Sequence, residues 1–467
     1  MKLDIEKIFF CTGARNHDLL KVFSPFEIKF EYDERAASFK ALGLSKISKK
    51  PVVVCTTSGT AVANCVPAML EAYYSDLPLV LISGDRPKKL HGTGSPQTIN
   101  HEALTQCARK TFLEIELHEL ETISLEGMEF PVHINVLVDD TVPHKEEVKF
   151  HQSIEAFEEF LTDKKKPLFI FSHENTSMRP LIEKFKKLKL CFYAEALSGG
   201  HDLSDLKTEK KVLELFNSGF FDSIIRIGHT PLTKIWRLLE KKSMPVFHFD
   251  SRNLSGLSFG EVLPLSSGEL LESTDFWKMI SRLLPYPAAD ETIWKLNELI
   301  ETYPQSEISN FKRIQDKLPE NTLVYLGNSL VVRFFELVQT LPFRIFGNRG
   351  VNGIDGQLSS AIGLAGGTEE KVFCILGDVT TFYDLSSLRD IPSNLHLIIM
   401  NNKGGRIFDM LNLDKRIVLE HENDFKRISE GLGLTYSNDL KDLGKVKVLE
   451  LFPDLKQSES FIQEWRK

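Results

Sequence analysis

The sequence predicts an α/β protein made of three parallel-sheet domains, and three observations carry that prediction. At 467 residues the chain is too long for one ordinary core of about 100–200 residues. Short apolar runs rich in Val, Ile and Phe alternate with helix-length amphipathic stretches, the pattern of parallel strands joined by crossover helices. Most of the runs end in small or polar residues, the place where open parallel sheets gather their ligands. Runs at 7–11, 51–56, 77–83 and 132–138 predict a first domain over 1–150. Runs at 168–172, 190–194, 222–228 and 245–250 predict a second over 160–290. After a helical linker near 292–318, runs at 323–326, 344–346, 371–376 and 395–400 predict a third over 300–467.

Composition narrows the function. Hydrophobic residues make up 42% and charged residues 26%, and no apolar run approaches the roughly 18 residues that span a bilayer, so no membrane insertion is expected. A formal charge of -8 opposes nucleic-acid binding, which needs a basic face. The first residues mix acids with bases and carry no secretion signal, from which a cytoplasmic location is expected. The 6 cysteines have no CxxC pair and mostly apolar neighbours, which predicts buried free thiols rather than disulfides or a zinc site.

Chemistry concentrates after two strands of the last third. The run 371–376 ends in Gly377-Asp378, and the run 395–400 ends in Asn401-Asn402-Lys403-Gly404-Gly405. If those strands are neighbours, the Asp378 carboxylate, the Asn402 amide oxygen and the Gly404 carbonyl offer hard oxygen ligands to Mg²⁺. Gly377, Gly404 and Gly405 let backbone approach phosphate oxygens, and a helix following Thr380 would offer N–H groups to the same anion. Either dipeptide alone is ordinarily a turn. Gly-Asp followed some two dozen residues later by Asn-Asn resembles the thiamine-diphosphate motif, with Val379 where its third residue is usually Gly.

Thiamine chemistry needs a carboxylate beside the aminopyrimidine ring, in a poorly solvated place, to relay a proton. The stretch Phe30-Glu31-Tyr32-Asp33-Glu34-Arg35-Ala36-Ala37 puts acids at the start of a small-residue helix, and Glu34 is the candidate. The plainer role for such acids is to complement the helix N-terminus.

Longer strings resemble the 2-succinyl-5-enolpyruvyl-6-hydroxy-3-cyclohexene-1-carboxylate synthases, thiamine enzymes of menaquinone biosynthesis. They include Cys11-Thr12-Gly13-Ala14-Arg15-Asn16, Thr57-Ser58-Gly59-Thr60-Ala61, Asp85-Arg86-Pro87, Gly327-Asn328-Ser329-Leu330-Val331-Val332-Arg333, Asn348-Arg349-Gly350-Val351-Asn352-Gly353-Ile354 and Asn402 through Phe408. The likeness covers the first and last thirds well and the middle weakly. It implies pyrimidine-binding, middle and diphosphate-binding domains, thiamine diphosphate with Mg²⁺ (or Mn²⁺), and a homodimer or dimer of dimers with cofactor sites at a subunit interface. Its implied donor is 2-oxoglutarate and its implied acceptor isochorismate. Both are diacids, which Arg15, Arg86, Arg333 and Arg349 suit as bidentate carboxylate partners. The same likeness assigns Ser58 to the cofactor, Ile354 to bracing its bent shape, Gln97 and Lys234 to substrate, and Ile407 and Leu411 to the pocket wall.

The sequence also departs from that family. Ala14 replaces its usual Ser, Pro96 its usual Asn, and a Thr-Pro-His segment after Phe408 is missing. With a short lead before the first strand and a short finish after Ile417, altered dimer packing and closure are expected. A thiamine enzyme with another substrate and a non-catalytic homologue are the competing readings.

Overall fold

A computed structural model describes residues 4–138, 147–174, 176–232, 235–241, 244–411 and 414–467, with the side chains of 410 and 411 left out. Three sheets of six strands each account for the fold, and every pairing in them is parallel.

The first sheet comprises β1 (Ile8–Cys11), β2 (Ile28–Glu31), β3 (Val52–Thr56), β4 (Leu79–Asp85), β5 (Thr111–Glu116) and β6 (Val132–Leu137), in the order β2-β1-β3-β4-β6-β5. Its four inner strands are buried throughout, which is why they read as largely apolar runs, with the buried polar side chains Ser83, Asp85, His133 and Asn135 bonded to one another in β4 and β6. Alternation across the pleat sends Ile8, Phe10, Val53 and Ile82 to one core and Phe9, Cys11, Val54 and Leu81 to the other.

The second sheet holds β7 (Val148–Phe150), β8 (Pro167–Phe171), β9 (Phe192–Ala194), β10 (Ser223–Ile227), β11 (Val246–Phe249) and β12 (Gly260–Leu263), ordered β7-β12-β11-β10-β8-β9. Phenylalanine fills its core: Phe169 meets Phe185 at 4.5 Å between ring centroids and Phe157 meets Phe249 at 4.9 Å. The third sheet holds β13 (Leu323–Leu326), β14 (Arg344–Phe346), β15 (Val372–Gly377), β16 (Leu395–Met400), β17 (Tyr436–Ser437) and β18 (Val448–Leu451), ordered β14-β13-β15-β16-β18-β17.

The chain gathers into two compact units. One contains Met1–Asp140, Arg349–Asp355 and Lys403–Glu422; the other contains Thr141–Asn348, Gly356–Asn402 and Asn423–Lys467. All six cysteines are free thiols, five of them buried, whereas Cys107 is exposed, contrary to the expectation of burial. Among the described residues no helix is long and apolar enough to cross a membrane.

One buried carboxyl makes the second unit sensitive to pH. Glu336 accepts hydrogen bonds from the Tyr193 hydroxyl and from the Ala196 N–H (3.0 Å). Burial first, and the charge of Glu195 second, push it up to about 8. A carboxyl raised on folding contributes stability below its unfolded value and loses it as pH rises through the folded one. Glu336→Gln is therefore expected to match wild type near pH 5 and to exceed it at pH 8 by roughly 3 kcal/mol in urea melts. Stability profiles that run parallel from pH 5 to 8 would contradict this.

Candidate active site

In an open parallel sheet, a crevice opens where the strand order turns from one direction to the other. In the first sheet that point lies between β1 and β3, since β1 connects to β2 on one side and the chain then returns to β3 on the other. The loops leaving these strands run very close together. A Cβ on Gly13 would lie 2.5 Å from the Thr57 Cβ, so only glycine fits there.

Four of the predicted residues converge at this crevice. Arg15 donates from Nη1 to Ser58 Oγ (3.1 Å) and Gln97 Oε1 (2.7 Å), and from Nη2 to the Pro96 carbonyl (3.1 Å). Arg86 donates from Nε to that same carbonyl, also at 3.1 Å. Two guanidiniums thus share one oxygen at the strand ends, a local concentration of positive charge suited to an acid ligand. Gln97 is held at φ +57°, a left-handed conformation uncommon outside glycine.

Two distant segments of the same unit close on this crevice. Gly59, at φ +85°, leaves a gap beside its α-carbon only 3.1 Å from the Val351 side chain, and Thr60 Oγ1 donates to Asp355 Oδ1 at 2.7 Å. These contacts fasten the stretch bearing Arg349 and Ile354 to the turn after β3. The stretch 403–422, bearing Gly404, Gly405 and Ile407, is anchored through Ile417 and Phe408 in the core beneath β1 and β3. There the Asp414 N–H donates to His17 Nε2 (3.1 Å) and Gly405 N–H to the Val418 carbonyl (2.7 Å).

Glu34 is the first residue of the helix Glu34–Ser48. Asp33 caps that helix, accepting from the Ala36 N–H at 2.9 Å, so the cap role belongs to Asp33. Glu34 is 8% exposed. Burial first, and then its charge, push the neighbouring Cys11 thiol well above the ordinary range.

In the second unit the third sheet has its own switch point, between β13 and β15. Gly377 pairs with Met400 across β15 and β16, so Asp378 and Asn401-Asn402 leave adjacent strands side by side. Asp378 is 2% exposed and accepts from the Val379 N–H at 2.7 Å. The helix here is Asp378–Tyr383, so it starts at Asp378 and contains Thr380, rather than beginning after Thr380 as expected. Asn402 Nδ2 donates to Glu307 Oε2 at 3.0 Å, which turns the amide oxygen the other way. Arg333 donates to the Ser329 carbonyl at 2.5 Å, at the start of its own helix.

These residues fit a hard cation and a diphosphate. Carboxylate and amide oxygens are the donors Mg²⁺ prefers, and nothing lies within 4 Å of where a Gly377 Cβ would be. Burial, joined by the charges of Asp424 and Asp378, pushes Glu450 up despite hydrogen bonds from Asn401 (2.6 Å) and Tyr436 (2.6 Å). Among the described residues no three His, Cys, Asp or Glu side chains converge on a metal by themselves. Lys234 lies outside the described residues, as does the side chain of Leu411.

Comparison with known proteins gives this arrangement its family. Residues 1–104 match the model "Thiamine pyrophosphate enzyme, N-terminal TPP binding domain". A 2-succinyl-5-enolpyruvyl-6-hydroxy-3-cyclohexene-1-carboxylate synthase of Bdellovibrio bacteriovorus is 31% identical over 99% of this chain and 95% of its own. The chain belongs to this synthase family. Members from Akkermansia muciniphila (30% identical, covering 96% of this chain and 93% of theirs) and Desulfotalea psychrophila (30%, covering 91% and 89%) carry the same name.

Sequence reasoning missed several residues that this synthase-family chain uses to hold its candidate site residues within each unit. Thr60 sits inside a string that resembles the family and Asp355 directly follows one, yet nothing in either stretch announces that they pair. Glu307, which orients Asn402, stands 95 positions away from it on a linker helix and offers no local signal.

Proposed function

We propose that this chain is a thiamine-diphosphate dependent transferase that decarboxylates 2-oxoglutarate and adds the succinyl-semialdehyde unit to isochorismate, in menaquinone biosynthesis. The observation that carries the reading is the pair of guanidiniums, Arg15 and Arg86, gathered with Gln97 and Ser58 at a sheet crevice in a family member. Two diacid substrates call for such groups; a pyruvate enzyme has less use for them.

When bound, thiamine diphosphate supplies the carbon centre that adds to the 2-oxo acid and takes up the electrons left by CO₂. Asp378, Asn402 and Gly404 hold Mg²⁺ or Mn²⁺, while Gly377, Thr380, Gly405 and Ser58 contact the cofactor and Ile354 braces it. Glu34 exchanges a proton with a nitrogen of the pyrimidine ring. Arg15, Arg86, Arg333, Arg349 and Gln97 bind and orient the acids, and Ile407 walls the pocket. The enzyme acts as a homodimer or dimer of dimers, the arrangement that the likeness to the synthase family implies. Two small, charged acids as substrates fit a cytoplasmic location.

The test is CO₂ release by purified protein with thiamine diphosphate, Mg²⁺, isochorismate and either 2-oxoglutarate or pyruvate. Release with 2-oxoglutarate and little with pyruvate is expected. Arg15→Ala should raise the KM of one acid by roughly 10- to 100-fold, the cost of a lost charge-assisted bond. Turnover of pyruvate at an equal rate, unchanged by Arg15→Ala, would overturn the diacid reading.

A further inference from the structure

The turn Ser58-Gly59-Thr60 is tied down at each of its three residues. Arg15 reaches Ser58, Asp355 takes the Thr60 hydroxyl, and the Gly59 N–H donates to His101 Nε2 at 3.1 Å. Gly59 caps the helix Thr60–Tyr74 without a side chain of its own, so this imidazole does what a capping side chain does elsewhere. An Nε2 that accepts a hydrogen bond must be unprotonated, which puts the ring proton on Nδ1. That nitrogen sits 3.0 Å from Asp85 Oδ2 and 2.9 Å from Asn135 Oδ1, both acceptors. The surroundings therefore fix one tautomer of His101.

Asp85 closes the circuit. It is fully buried at the end of β4, and its Oδ1 accepts the Arg86 N–H at 2.7 Å. Its Oδ2 also takes Asn135 Nδ2 at 3.1 Å. Asn135 is in turn held by Ser83 Oγ at 2.7 Å. His91 lies 3.3 Å from Oδ2 and bonds the Arg86 carbonyl at 3.0 Å, so the backbone of Arg86 is gripped on both sides. One carboxylate thus fixes Arg86 directly and, through an imidazole, the turn whose Ser58 receives Arg15.

We propose that Asp85 and His101 form a positioning pair that sets the separation of the Arg15 and Arg86 guanidiniums, and so the fit of the acid substrate, without touching substrate themselves. This rests on the reading of Arg15 and Arg86 as acid-binding groups. A shift of about 1 Å in such groups can cost on the order of 100-fold, so a buried pair holding both loops has leverage over substrate binding.

Steady-state kinetics of full-length His101→Leu, His101→Gln and Thr105→Val, beside Arg15→Ala, test it. Thr105 belongs to the same buried network, its hydroxyl bonding the His101 carbonyl (3.0 Å) and His133 Nδ1 (2.9 Å), but it has no hand on Gly59. His101→Leu is expected to raise the KM of an acid substrate about 10-fold or more with kcat within about threefold. His101→Gln, whose amide oxygen can accept the Gly59 N–H, should recover most of that loss, and Thr105→Val should lower Tm with KM within about twofold of wild type. Should His101→Leu not fold, Asp85→Asn, nearly identical in shape, carries the same expectation of a raised KM at near-constant kcat. An unchanged KM in the His101 and Asp85 variants, while Arg15→Ala raises it, overturns the pairing and leaves the acid-binding reading standing. An unchanged KM in Arg15→Ala overturns that reading instead. A KM rise in Thr105→Val equal to that of His101→Leu also overturns the pairing, since general loosening would then account for both.

Discussion

Glu34→Gln is expected to lower kcat by roughly 10²- to 10⁴-fold while thiamine diphosphate affinity stays within about threefold of wild type. Glutamine keeps the volume and one hydrogen-bonding oxygen of the side chain but cannot exchange a proton with the pyrimidine ring. The fold around the residue should hold. Asp33 still caps the helix at the Ala36 N–H, and Ser38 Oγ still bonds the Glu34 carbonyl at 2.6 Å. If Glu34 served only to complement the helix N-terminus, the substitution would cost about 0.3–1 kcal/mol of stability and leave turnover alone. Steady-state rates together with calorimetric cofactor binding separate the two cases. A kcat within threefold of wild type would remove Glu34 from the chemistry.

Asp378→Asn should act on binding rather than on turnover at saturation. The buried carboxylate is the one charged oxygen donor proposed for the metal, and Asn402, oriented by Glu307, is a neutral one. Replacing the carboxylate by an amide removes the charge that holds a divalent cation and, with it, the bridge to the diphosphate. The Mg²⁺-dependent affinity for thiamine diphosphate should fall by at least the roughly 10- to 100-fold that losing a supporting contact to a metal ligand costs. Calorimetric titration with cofactor, with and without Mg²⁺, reads this directly. Equal affinity in wild type and variant would place the metal elsewhere.

Most inner strands were legible because they are buried on both faces, whereas β12, an inner strand that opens on the half-buried Gly260-Glu261, was passed over. Val52–Thr56 and Leu395–Met400 could not be mistaken for surface. Sequence reasoning passed over β2 and β5 because both are sheet edges with no fully buried residue, as in Ile28-Lys29-Phe30-Glu31. The same holds for β7, while β17 is only two residues long. In β18 the charge of Glu450 hid a buried strand, because that carboxyl is satisfied by Asn401 and Tyr436 from elsewhere in the fold.

Of the candidate site, the crevice between β1 and β3 was legible through Arg15, Ser58 and Arg86, each within a few residues of a strand end, while Gln97 lies in the long loop between β4 and β5 and came from the family likeness alone. His101 was not, since its importance comes from facing Gly59 across 42 positions of sequence, and an isolated histidine on a short helix carries no such signal.

The most direct test of the account follows carbon. Purified protein would be given uniformly ¹³C-labelled 2-oxoglutarate with unlabelled isochorismate, thiamine diphosphate and Mg²⁺, and its products analysed by NMR and mass spectrometry. The expected result is one labelled carbon released as CO₂ and the remaining labelled carbons bonded to the isochorismate-derived ring. Label that stays in 2-oxoglutarate, or that appears only in free succinic semialdehyde beside untouched isochorismate, would contradict it.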